Sequence, residues 1–144
     1  MPESYSRRAN AVLLQVRHIA LQLHVDFVDS SHMLYALLQS RCVAIRRILT
    51  ALQASPDDLR RAAEKRLVAG PESIRAGMGW AVKAMQALYE AEAEAEAARR
   101  RLITTRDLFL GLLSGTRGGA AEALKEVGVT LEAVRRVLGL SSPS

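Results

Sequence analysis

The chain has 144 residues, 49% of them hydrophobic and 24% charged, which is the size and make-up of one ordinary globular domain. Phe, Trp and Tyr supply only 4%, so the core has to be built from Ala, Leu, Val and Ile, and closely packed helices are favoured. The single cysteine, Cys42, excludes an internal disulfide and any multi-cysteine zinc site, while a net charge of +5 raises a nucleic-acid partner that the placement of the charges argues against.

In chain order, the first predicted helix covers about 6–23. Ala9, Val12, Leu13, Val16, Ala20 and Leu23 recur there at the 3, 4 and 7 spacings of one helix face. A second covers about 31–39, with Ser30 predicted as its N-cap and His32 in its first turn, bracing the incoming loop. A third covers about 43–52. The fourth opens on Ser55-Pro56-Asp57-Asp58, which combines a hydroxyl cap, proline at the first helical position and carboxylates at the positive end of the helix dipole; it is expected to end near Gly70.

The chain then repeats itself. Adding 75 to a position in the first half lands on a matching residue in the second: Tyr5 on Trp80, Ala9 on Ala84, Ala20 on Ala95, Val28 on Ile103, Leu37 on Leu112, Leu49 on Leu124. Helices are therefore predicted again at about 79–100, 106–113, 119–127 and 131–138. Thr130 caps the last of them, and it is expected to be cut short. Glu-Ala alternation from Glu90 to Ala97 mimics strand periodicity, but both residues favour helix, and a cationic neighbour is expected for its like charges at i,i+4. The fold class predicted is all-α: two pseudo-symmetric four-helix repeats, about 4–69 and 79–140, with a linker at 70–78 and a tail at 141–144, packed into one domain of about eight helices.

Seventeen of the 20 basic residues are arginine, and they include the scattered pairs Arg7-Arg8, Arg46-Arg47, Arg60-Arg61 and Arg135-Arg136. The dense run Arg99-Arg100-Arg101 follows four glutamates, so i,i+4 pairs such as Glu96 with Arg100 are expected to neutralise part of it. No apolar run approaches the ~20 residues that cross a bilayer, and the N-terminus lacks a signal-peptide core. The expected location is the cytosol. Nucleotide and metal chemistry find no support: Gly111 to Gly119 lacks the lysine of a phosphate loop, and His18, His24 and His32 show no zinc spacing. No cofactor or metal is expected. Cys42 has basic neighbours, Arg41 and Arg46, but no histidine at helical spacing, and reads as a packed thiol.

Tyr5-Ser6-Arg7-Arg8-Ala9 with Asp29-Ser30-Ser31-His32-Met33-Leu34, and Trp80-Ala81-Val82-Lys83-Ala84 with Thr104-Thr105-Arg106-Asp107-Leu108-Phe109, resemble the paired motifs of the Clp N-terminal repeat domain. That module precedes the ATPase rings of bacterial Clp unfoldases and also occurs in stand-alone relatives. The resemblance covers about 4–140. It implies a non-enzymatic, monomeric protein-interaction module that docks substrates, adaptors or components of a Clp machine, and in a stand-alone form a modulator or decoy that also takes up cyclic-peptide natural products.

In relatives that bind phosphorylated arginine, paired glutamates and threonines form the pockets. Those positions are here Ser31 and Arg106, and Ser6 and Ala81, so the usual binding is not expected, although a phosphate or carboxylate at Arg106 remains chemically sensible. The family's other surface, an apolar face between the two first helices, implies Tyr5, Asn10, Leu13, Leu14, Trp80, Met85 and Tyr89 as partner-binding residues. Tyr5 and Trp80 either anchor a partner there or close the ends of the repeat core. The alternative reading is a small helical DNA-binding regulator, whose affinity would fall steeply with salt.

Overall fold

Ser6 opens the first long helix by accepting a hydrogen bond from the Ala9 N–H at 3.2 Å, and α1 follows over Arg7–Gln22. The structure, a computed structural model, describes residues 4–23, 28–67, 75–76, 80–115 and 118–140, with the backbone alone at 75–76 and 80–81. Three further helices complete the first repeat: α2 (Ser30–Gln39), α3 (Val43–Ala51) and α4 (Pro56–Glu64). The second consists of α5 (Val82–Ala97), α6 (Thr105–Leu113), α7 (Gly119–Val127) and α8 (Leu131–Leu138). Helices α1 and α5 are both 16 residues long and start 75 residues apart, as the internal repeat requires.

Caps set most of these limits. Ser55 accepts from the Asp58 N–H and Thr130 from the Ala133 N–H, both at 3.2 Å, as predicted. Four expectations need correction. The α2 N-cap is Asp29, not Ser30. Helix α4 ends at Glu64, because Lys65 to Leu67 form a turn; residues 68–70, where an end had been expected, lie outside the described ones. Helix α5 starts at Val82 rather than 79, since Trp80–Ala81 is extended, and stops at Ala97 because Arg99 turns into the left-handed region (φ 56°). Finally, α8 is shorter than its counterpart by one residue only, 8 against 9, because α4 itself ends early.

Short extended pieces stitch the helices together. Strand β1 (Ser4–Tyr5) pairs in parallel with β4 (Leu102–Ile103), joining the start of one repeat to the other, and β2 (Arg75–Ala76) pairs antiparallel with β3 (Trp80–Ala81). The last two fall in and just after the segment expected as a linker.

Helices α2 and α6 form the centre. Every residue of α6 except Arg106 is buried, and α2 is buried from Ser30 through Leu34 and again at Ala36 and Leu37. A helix apolar nearly all round has to be surrounded. Accordingly α2 packs on α1, α4, α7, α6 and α5, and α6 on α5, α7, α3, α1 and α8. Met33, Leu34, Leu37, Ile45, Ile48, Leu49, Leu59, Leu108, Phe109 and Leu110 are fully buried in one cluster drawn from both repeats, each contributing about 1.5–3 kcal/mol.

The Glu-Ala segment is helical for a visible reason. Ala84, Ala87, Ala91 and Ala95 make the buried stripe of α5, and Gly111 of α6 lies so close that a Cβ there would sit 2.2 Å from the Ala87 carbonyl oxygen. The cation expected beside these glutamates is Arg135 of α8, whose Nη1 lies 2.5 Å from Glu94 Oε1. No helix among the described residues is long and apolar enough to cross a membrane.

Candidate interaction surface

The two central helices begin with buried polar clusters that are repeat counterparts. At α2 the Asp29 carboxylate accepts from the N–H groups of Ser31 (3.1 Å) and His32 (3.3 Å), while the Asp29 N–H donates to Nδ1 of His32 (3.0 Å), closing a capping box. The same Nδ1 lies 3.0 Å from the Asp29 carboxylate, and the other ring nitrogen, Nε2, is buried and has no partner among the described residues. Ser30 instead accepts from the Ala120 N–H at 3.2 Å, so its hydroxyl serves the opposite repeat. Burial pushes the Asp29 carboxyl up, but bonds from His32, Ser31 and the backbone outweigh it and hold the group below the ordinary carboxylate range.

At α6 the roles are exchanged. Thr104 is the N-cap, and the Asp107 carboxylate reaches back to the Thr104 N–H at 2.8 Å. The same carboxylate takes both guanidinium nitrogens of Arg100, at 2.5 and 2.7 Å. Burial raises Asp107 as well, yet Arg100 and Thr104 together keep it below the usual value. Arg100 thus pairs with Asp107 rather than with Glu96 as expected, because the turn at Arg99 takes it off the helix.

These clusters are structural. Ser31, Asp29 and His32 have the residue types of a nucleophilic triad, but the Ser31 hydroxyl bonds to the carboxylate and not to the imidazole, and all three are buried. A histidine that exchanges with Asp107 between repeats is a helix-start device.

Of the positions carried over from phosphoarginine pockets, Ser6 and Arg106 come to one corner. The Ser6 N–H donates to the Ile103 carbonyl at 2.8 Å, and Arg106 stands half-exposed in the following turn of α6. Ser31 offers no pocket: it is buried against Gly119, where a Cβ would come within 2.8 Å of the Ser31 Cβ. The side chain of Ala81 lies outside the described ones.

The apolar positions fall on matching flanks of α1 and α5. Leu14 is 70% exposed and Tyr89 is 62% exposed, and the two are repeat counterparts, as are Asn10 and Met85. Leu13 and Met85 are half-buried, and Asn10, exposed, donates to the Tyr5 carbonyl at 3.4 Å. Tyr5 is half-buried against the core, with its phenol pushed up by burial first and by Glu92 second; that contact favours core closure for Tyr5. The Trp80 side chain lies outside the described ones. Leu21, also widely exposed on α1, had not been singled out, although its place one helical stretch beyond Leu14 and Arg17 could have marked it.

A second feature escaped the sequence altogether. A cleft of about 1280 Å³ opens between α1, the α2–α3 turn and the start of α4, with Arg8, Arg41, Arg46 and Arg60 around it. Its residues come from four separate segments, so no run of charge announces it.

Comparison with known families and structures gives consistent matches. The family model for the Clp repeat (R) N-terminal domain matches twice, over residues 4–77 and 81–142. Among solved structures, the Hsp104 N-terminal domain from Candida albicans aligns with a TM-score of 0.75 at 17% identity, covering 93% of this chain and 88% of that one. The N-terminal domain of the caseinolytic protease associated chaperone ClpD from Arabidopsis thaliana aligns at 0.68 and 18%, covering 95% and 96%. A structure from a malarial protein secretion system gives 0.75 and 18%, covering 94% and 92%. No curated protein matches.

Proposed function

Because the chain belongs to the family of Clp repeat N-terminal domains, protein-interaction modules of Clp systems, we propose that it docks Clp components, adaptors or substrates on the exposed flanks of α1 and α5. The observation that carries this reading is the pair Leu14 and Tyr89, large apolar side chains left in solvent at equivalent places on two helices whose other sides build the core. Exposed apolar and aromatic side chains on a rigid scaffold are the usual anchors of a binding face. Asn10, Leu13 and Met85 flank them, with Tyr5 and Trp80 at the two ends. The chain performs no chemistry of its own. A stand-alone copy acts as a modulator or decoy in the cytosol, and cyclic peptides aimed at this face compete with its protein partner. Phosphoarginine is not its ligand, since Ser31 is buried and Arg106 is cationic.

The test is titration against purified Clp ATPase, adaptor and protease from the same cell, with wild type and a Leu14→Ala/Tyr89→Ala variant. Binding by wild type weakened about tenfold in the variant, roughly the loss of one good anchor, is the expected result. Equal affinity for both moves the site elsewhere, and the absence of binding to any Clp component overturns the proposed role.

A further inference from the structure

The cleft beside α1 has a composition that specifies a different occupant from the apolar face. Ala11, Leu38 and Val43 offer it apolar surface above the buried Val12, Ala36, Leu37 and Ile45, and its rim is cationic. Among the described residues the one carboxylate in the lining, Asp57, lies 4.0 Å from Arg60, which also approaches Glu64 at 3.9 Å. Arg8, Arg41 and Arg46 are exposed and take part in no ion pair among the described residues. Three guanidinium groups thus line one opening whose single carboxylate among the described residues is already shared with Arg60.

Two backbone features add to this. Helix α3 begins at Val43, and its N-cap, Cys42, makes no side-chain cap hydrogen bond; both residues line the cleft, so the positive end of that helix is turned toward it. Arg41 sits at φ 53°, in the left-handed region that disfavours any side chain and that glycine takes freely. Gln53 and Arg99 take the same conformation after α3 and α5, so at Arg41 it marks the turn that ends α2 and carries the arginine to the rim.

We propose that this cleft binds an extended acidic and apolar peptide segment of a partner protein, with carboxylates held by Arg8, Arg41 and Arg46 and apolar side chains laid on that apolar surface. Arginine forks match carboxylates in two-point geometry. A nucleic-acid strand is disfavoured because no lining residue among the described ones is aromatic, which leaves no platform for base stacking. The cleft is independent of the docking face: Arg8, Ala11 and Gln15 lie on one flank of the buried stripe of α1, whereas Asn10, Leu13 and Leu14 lie on the other.

The experiment is fluorescence anisotropy on the full chain with a labelled peptide of alternating glutamate and leucine. Wild type binds it, and Arg8→Gln/Arg46→Gln weakens binding about tenfold or more. Arg41→Gly weakens it as well while keeping or raising the melting temperature, because glycine relieves the backbone; this separates a lost contact from a lost fold. Leu14→Ala/Tyr89→Ala leaves it unchanged. The proposal is overturned if wild type does not bind, if the arginine variants bind as wild type does, if the same peptide with glutamine for glutamate binds equally, or if a single-stranded oligonucleotide binds more tightly at the same arginines.

Discussion

Asp29 and Thr104 occupy the same place in the two repeats, yet the carboxylate of each cluster sits at a different position: at the N-cap in α2, and three residues on, at Asp107, in α6. Each arrangement has one acid, and the partner of that acid fits its place, His32 in one case and Arg100 in the other. His32→Asp copies half of the second arrangement into the first and sets two buried carboxylates against each other. It should cost about 3 kcal/mol, the scale of an uncompensated buried charge, as a fall in the urea midpoint at neutral pH. The loss should shrink as the pH drops into the carboxylate range, where one of the two acids takes a proton. Asp29→Thr in the same chain should restore most of it; additive losses would show that the boxes are not interchangeable. The exchange of His32 for Asp107 was legible from the aligned repeats, and it marked a helix start. The cap itself was not legible, because serine and aspartate are equal candidates by local preference. What decided between Ser30 and Asp29 was the Ala120 N–H, 90 residues away.

Between elements, α5 and α6 approach so closely that Gly111 lies against the Ala87 backbone. In α1 the buried stripe includes Val12 and Val16 and faces Ala36 on α2; in α5 the corresponding positions are Ala87 and Ala91, and α6 offers Gly111. Smaller side chains on both partners bring the second pair nearer together. Gly111→Ala should therefore destabilise despite the ~1 kcal/mol that alanine gains over glycine in a helix, because the new methyl meets a backbone oxygen at 2.2 Å and backbone moves only with its helix. A net loss of about 1–3 kcal/mol, measured by thermal or urea unfolding, is expected, and unchanged or increased stability would show that the pair separates freely. The starts of α4 and α8 were legible in their caps, Ser55 and Thr130, whereas Ser6, placed inside the first helix, turned out to cap it. Several ends were not. Helix α4 stops at Glu64 and α5 at Ala97 through turns that no glycine or proline announces, the second built on Arg99 in a conformation unusual for arginine. The basic cleft escaped for a related reason: Arg8, Arg41, Arg46 and Arg60 converge only after α1, α3 and α4 have packed.

For the whole molecule the question is whether two repeats make one folding unit or two. Neither α2 nor α6 is covered by its own repeat alone: α2 needs α7, and α6 needs α3 and α1. Polar links cross the same boundary. The Cys42 sulfur lies 2.9 Å from Thr105 Oγ1, and Lys65 and Arg66 reach Glu126 at 2.9 and 3.3 Å, holding that carboxyl below its ordinary range chiefly through Lys65. The surface pairs are screened and add little, so the shared apolar core has to supply the coupling. Leu34→Ala, deep in the first repeat, should cost about 2–5 kcal/mol. If the core is common, it should also lower the unfolding midpoint reported by Trp80 fluorescence, in the second repeat, as much as that reported by far-ultraviolet circular dichroism for the whole chain. A Trp80 transition that stays in place while the dichroism signal splits would mean that the halves fold independently. In that case the flanks of α1 and α5 would not be held at a fixed spacing, and a partner gripping Leu14 and Tyr89 together would have to organise the face itself. A single shifted transition instead means that the spacing is built into the fold, so that the docking face exists before any partner arrives.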